Sequence, residues 1–127
     1  MPQQPESAAQ PNITSLGTLT GLTLGGPMGN TAQETTLAAA ATELAVTKNF
    51  VTLTGDGDSN TLATITGGVV GQLLTILFVD ALVTITDTDA HTANTVDLSD
   101  AFVSADDTVL ELIFDGTSWY EVSRSVN

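Results

Sequence analysis

The sequence predicts an all-β protein, a β-sandwich of jelly-roll-like form with an extended N-terminal arm. Three observations predict it. Short runs of apolar residues alternate with threonine at period two, as in strands with one buried face. Clusters of Gly, Asp, Asn and Ser separate those runs, and such clusters favour turns. Threonine is the commonest residue while only 13% of residues are charged, so hydroxyls must cover the exposed sheet positions.

Taken in order, residues 1–12 hold Pro2, Pro5 and Pro11 and form a tail that regular structure avoids. The next stretch, "ITSLGTLTGLTLGGPMGN", carries Ile13, Leu16, Leu19, Leu22 and Leu24 among glycines that weaken a lone strand. It is either an edge strand of its own domain or an arm that docks on a neighbouring subunit by a strand-addition type of contact. The chain thus divides into a tail and apolar arm over 1–30 and a β-domain over 31–127.

In "TAQETTLAAAATELAV", Thr31 and Glu34 make a capping-box pattern and Ala38–Ala41 favour a helix. A short helix or turn near 32–40 followed by a strand near 42–47 fits this run. "FVTLT" (50–54), "LATIT" (62–66) and "LVTIT" (82–86) repeat one alternating pattern, which places Val51/Leu53, Ala63/Ile65 and Val83/Ile85 on inward faces. Their irregular spacing does not predict a solenoid. "LLTILFV" (73–79) is apolar on both faces, as in a strand covered on both sides, and "VLELIF" (109–114) is similar apart from Glu111. Asp115-Gly116 then turns the chain into "WYEVSRSV", a hairpin signal.

Composition excludes several functions. Lys48 and Arg124 are the only basic residues against 15 acids, a formal net charge of −13. A nucleic-acid surface needs a basic stripe to neutralise phosphates, and an anionic membrane repels such a chain. No apolar run reaches the roughly 20 residues of a membrane helix, and the polar, Pro-rich N-terminus lacks the pattern of a secretory signal. The absence of cysteine removes disulfides and thiolate metal sites.

Catalytic chemistry finds little support. His91 is the only histidine, in the turn "DTDAHTAN", and no Ser occupies a nucleophile elbow. Paired acids at Asp56/Asp58, Asp87/Asp89 and Asp106/Asp107 sit in turns, where Asp commonly serves the backbone. Asp56, Asp58 and Asn60 copy the first ligands of a calcium loop, but Thr61 replaces its glycine and Gly67 its final glutamate. The sequence therefore assigns no catalytic, cofactor or metal site. A glycan hydrolase would need a cleft with one carboxyl of raised pKa, which the spacing does not reveal.

The C-terminal run gathers the only Trp, Tyr and Arg: Trp119, Tyr120 and Arg124. Strict alternation places Tyr120, Val122 and Arg124 on one face and Trp119, Glu121 and Ser123 on the other. Trp, Tyr and Arg are enriched at interface hot spots, so the cluster is a candidate subunit interface. Each residue alone also suits a sandwich closed by a core Trp with an Arg at its rim.

The layout "VTLTGDGDSNTLATITGG", "GQLLTILF" and "DDTVLELIFDGTSWYEVSRS" resembles a β-domain of tailed-phage and prophage virion proteins. The resemblance spans about 50–127 and rests on Gly71, Gln72, Asp107, Thr108, Asp115, Gly116, Trp119 and the run from Glu121 to Ser125. It implies a homotrimeric knob, at a fibre tip or as a decoration (cement) protein on the outer surface of the capsid. A short chain beginning at Met1, without coiled-coil heptads or a fibrous shaft, is similar to the decoration type. In that case the partner is the major capsid protein, and Ile13, Leu16, Leu19, Leu22 and Leu24 form the capsid-docking arm. The alternative is a lectin-like receptor-binding tip.

Overall fold

A computed structural model describes residues 12–127, and its regular structure is all-β. The tail expected over residues 1–12 thus falls almost wholly outside the described residues. The chain winds in successive turns that lie on one another. The first turn holds β1 (Ala32–Thr36) and β2 (Glu43–Ala45). The second holds β3 (Phe50–Thr54), β4 (Asn60–Leu62) and β5 (Thr64–Thr66). The third holds β6 (Leu73–Phe78), β7 (Val83–Ile85) and β8 (Val96–Asp97). The chain then doubles back through β9 (Phe102–Val103), β10 (Val109–Phe114) and β11 (Trp119–Ser125).

Between turns the pairing is parallel: β1 with β3, β3 with β6, β2 with β5 and β4 with β7. The returning strands close the stack antiparallel, β9 on β7 and β10 on β6, and β11 completes a hairpin with β10. The result is a six-stranded sheet in the order β1-β3-β6-β10-β11-β8, beside sheets β4-β7-β9 and β2-β5. This corrects the jelly-roll sandwich. A jelly roll is built from antiparallel Greek keys, whereas here parallel stacking of successive turns is solenoid-like. The turns differ in length, with Phe50 facing Ala32 on one side and Thr75 on the other, which is why the repeats looked irregular.

Alternation decides what is inside. Val51, Leu53, Leu74, Ile76, Phe78, Leu110 and Leu112 point into the stack from the large sheet, and Leu62, Val83, Ile85, Leu44 and Ile65 meet them from the other two. Each such side chain contributes about 1.5–3 kcal/mol by leaving water. "LATIT" departs from strict alternation: Leu62 and Ile65 are buried but Ala63 is exposed, because the chain turns a corner there between β4 and β5.

No helix forms near 32–40. Pairing with β3 overrides the helical propensity, and Gln33 is put to use at the start of the stack. Its carboxamide accepts a hydrogen bond from the Thr47 N–H at 2.7 Å and donates to the Ala45 carbonyl at 2.8 Å. The strand expected near 42–47 is present as β2. At the corner after β5 the chain passes so close to its neighbours that only glycine fits. A Cβ at Gly67, whose φ is +89°, would lie 2.2 Å from the Val46 carbonyl oxygen, and one at Gly68 would lie 2.6 Å from the Trp119 ring.

Candidate functional site

Trp119 opens β11 facing inward. It is fully buried, stacks on Phe114 with ring centroids 4.6 Å apart, and donates its indole N–H to the Ile65 carbonyl at 2.9 Å. With its one donor satisfied and no surface exposed, Trp119 closes the core of its own chain and is not an interface residue, which corrects that expectation.

Arg124 is also committed within the chain. A bulge on β11, facing Glu111 and Leu112 of β10, sets Leu112 opposite Glu121 and Glu111 opposite Ser123, leaving Val122 unopposed. A bulge re-aims the side chains beyond it, so Glu121 and Arg124 emerge on the same side rather than on opposite ones. Arg124 Nε and Nη2 reach the Glu121 carboxylate at 3.0 and 2.7 Å. Its guanidinium also donates to the Asp100 and Ala101 carbonyls and lies over the Phe102 ring, 5.2 Å from the centroid. Burial works to raise the Glu121 pKa, but hydrogen bonds from Arg124 and Ser99 and the arginine charge outweigh it, and the carboxyl is held below its ordinary range.

Tyr120 faces outward, half-buried, opposite Ile113. Partial burial, with the nearby Asp115 and Asp97 carboxylates, raises its phenol pKa. Asp115 accepts N–H bonds from Ser118 and Thr117, both at 2.8 Å, and pairs with His91 at 2.9 Å. The two backbone donors, Ser118 first, hold the Asp115 carboxyl down to about 2, with the His91 contact adding to them against slight desolvation. Asp115 is the only hydrogen-bond partner of the His91 side chain among the described residues.

The acidic turns serve the backbone. Asp56 accepts from the Asp58 N–H at 2.8 Å, and the buried Asn60 accepts from the Asp56 N–H at 3.0 Å while donating to Ala38. The Asp56 and Asn60 oxygens thus serve backbone N–H groups of the turn. Asp87, Asp89 and Asp97 do bring carboxylates within 4.8 Å of one another, although Asp87 also holds the Leu98 N–H. This cluster was not foreseen, since Asp97 is distant in sequence from the "DTD" run.

The arm residues stay uncovered. Ile13, Leu16, Leu19, Leu22 and Leu24 are each about half exposed or more, with Leu16 at 65% and Leu22 at 66%. No residue from Asn12 to Gln33 is charged.

The outer face of the large sheet went unrecognised. Across β3, β6 and β10 its nine outward positions hold Phe50, Leu73, Leu77, Val109 and Ile113, three threonines (Thr52, Thr54 and Thr75), and one acid, Glu111. The signal was present in "LLTILFV", apolar on both faces. Leu74, Ile76 and Phe78 are covered within the chain, while Leu73 remains 52% exposed on the other side. Met28, at the end of the arm, borders an open groove of about 530 Å³ on this face together with Phe50, Leu73 and Glu111.

No protein-family model matches the chain, and no curated protein is similar enough to count as a relative.

Proposed function

We propose that the protein is a structural virion component, a capsid decoration (cement) protein of a tailed phage. It forms a homotrimer, binds the major capsid protein and lies on the outer surface of the head. The observation that carries this reading is the uncharged arm from Ile13 to Leu24, whose five large apolar side chains find no cover in their own domain. Monomeric soluble proteins rarely leave such a surface open without a use for it. The resemblance of residues 50–127 to phage virion β-domains supports the same reading.

The mechanism is mechanical and needs no cofactor or catalytic group. Each arm buries apolar side chains against coat subunits, at about 25 cal/mol per Å². Three arms on one trimer convert weak single contacts into firm attachment through effective concentration. The acid-rich exterior, with a formal charge of −13, keeps the decorated shell soluble and away from DNA.

The test is co-sedimentation with undecorated capsid shells of the parent virion. The full chain is expected to pellet with the shells, and a chain lacking residues 1–26 to remain in the supernatant while still folded. Normal decoration by the truncated chain would refute the role of the arm.

A second reading, a trimeric tail-fibre or receptor-binding tip, draws on the solenoid-like stacking. β1 is an edge of the large sheet, so its outer backbone groups are open to a further stacked turn. Binding to host-surface glycans, rather than to shells, would favour it.

A further inference from the structure

We infer that the outer face of the six-stranded sheet, centred on Leu73 and Ile113, is the surface through which copies of this chain associate. The inference rests on the trimeric reading above and names the face that reading requires. β6 is apolar on both sides but covered on one. Leu73 and Leu77 face outward beside Val109 and Ile113 of the adjacent β10, and Phe50 extends the patch onto β3.

The occupant is a second copy because of charge. Fourteen of the 15 acids lie away from these nine central positions and Glu111 alone falls among them, while Glu34 on β1 and Asp97 on β8 stand at the two edges of the same face. Two copies of so acidic a chain repel one another through most orientations. They approach with least penalty through a face whose centre carries almost no charge. On the β4-β7-β9 sheet the outward positions Thr61, Thr84 and Val103 hold one apolar residue, and those of β5 are Thr64 and Thr66, so neither presents a continuous apolar patch.

Six strands spaced about 4.8 Å apart and about 17–20 Å long give a face of roughly 400–500 Å² in plan. Met28 and the groove it borders, lined also by Asn30, Asn49 and Gln72, continue this face toward the arm. A specific interface takes about 800 Å² from each partner, of which the face supplies roughly half.

The test is sedimentation equilibrium of three forms of the full chain. Wild type is expected at three times 13.0 kDa. The variant L73E/I113E is expected at the single-chain mass with Trp119 fluorescence unchanged, while the control Thr61→Glu on β4 stays trimeric. A second variant, Glu111→Gln, removes the like charge at the centre of the face and is expected to tighten association at least threefold. A folded L73E/I113E that remains trimeric would overturn the inference and leave the virion reading standing, as would Glu111→Gln weakening association. If L73E/I113E fails to fold, Glu111→Gln alone decides. A wild-type monomer at every concentration would overturn both the face and the trimer.

Discussion

Glu121 and Arg124 form a two-pronged ion pair on one side of β11, with the shortest contact at 2.7 Å, because Val122 stands unopposed between them. In a regular strand residues three apart point to opposite faces. The bulge thus turns a strand that would have exposed one charge into one that shields both, and the pair ties β11 to the Asp100–Ala101 backbone. The Glu121 side chain is only 6% exposed and that of Arg124 25%, so solvent screens the pair weakly.

Arg124→Ala is expected to destabilise the fold by about 2–3 kcal/mol, below the range for a fully buried pair because Arg124 keeps some water. Arg124→Lys should recover only part of this, since an ammonium cannot hold the carboxylate fork and two carbonyls together. Urea denaturation of the single variants and of R124A/E121Q measures both. The double variant should be less destabilised than the sum of its singles, by about 1–2 kcal/mol of coupling.

Acid stability follows from two lowered carboxyls. A carboxyl whose pKa is lower in the folded than in the unfolded chain stabilises the fold above its unfolded value. It loses that contribution as pH falls through its folded value. For Asp115 the window runs from 3.8 down to about 2, and Glu121 acts with the same sign from 4.5 downward. Asp115→Asn retains an oxygen for the Thr117 and Ser118 N–H groups but does not titrate. The stability advantage of wild type over this variant should therefore be constant above about pH 5 and shrink toward pH 2, read from denaturation midpoints across that range.

The two glycines at the corner after β5 are expected to resist substitution. Gly67→Ala combines a left-handed backbone with a clash against the Val46 carbonyl, and Gly68→Ala drives a methyl into the packed Trp119 and Phe114 rings. Each should cost about 2–4 kcal/mol in thermal or urea unfolding. Gly26→Ala, with open space around it, should change nothing measurable.

Trp119 is a built-in reporter. Its buried indole should emit at short wavelength, resist quenching by iodide, and hold the same spectrum when the protein is diluted through any association equilibrium. A red shift on dilution would return Trp119 to the interface. Trp119→Phe loses the Ile65 hydrogen bond and leaves a void, at about 1–3 kcal/mol.

Much of the strand content was legible in the sequence, and less of the arrangement. Alternation marked β3 and β7 and sorted Val51, Leu53, Val83 and Ile85 inward, and runs apolar on both faces marked β6 and β10. Period two states which side of a strand is buried but not which strand lies beside it, so parallel stacking was invisible. The capping-box pattern at Thr31 and Glu34 pointed to a helix, whereas pairing of Ala32–Thr36 with β3 prevailed over propensity. The C-terminal faces were misassigned because one unopposed residue, Val122, flips everything after it. The exposed sheet face was written plainly in "LLTILFV", but a run apolar on both sides looks the same whether its second cover is its own chain or another.

The most direct measurement is electron microscopy of intact virions labelled with gold-conjugated antibody raised against residues 31–127. A capsid decoration protein is expected to give gold distributed over the surface of the head. Gold confined to the tail tip, or virions that carry none, would contradict that role.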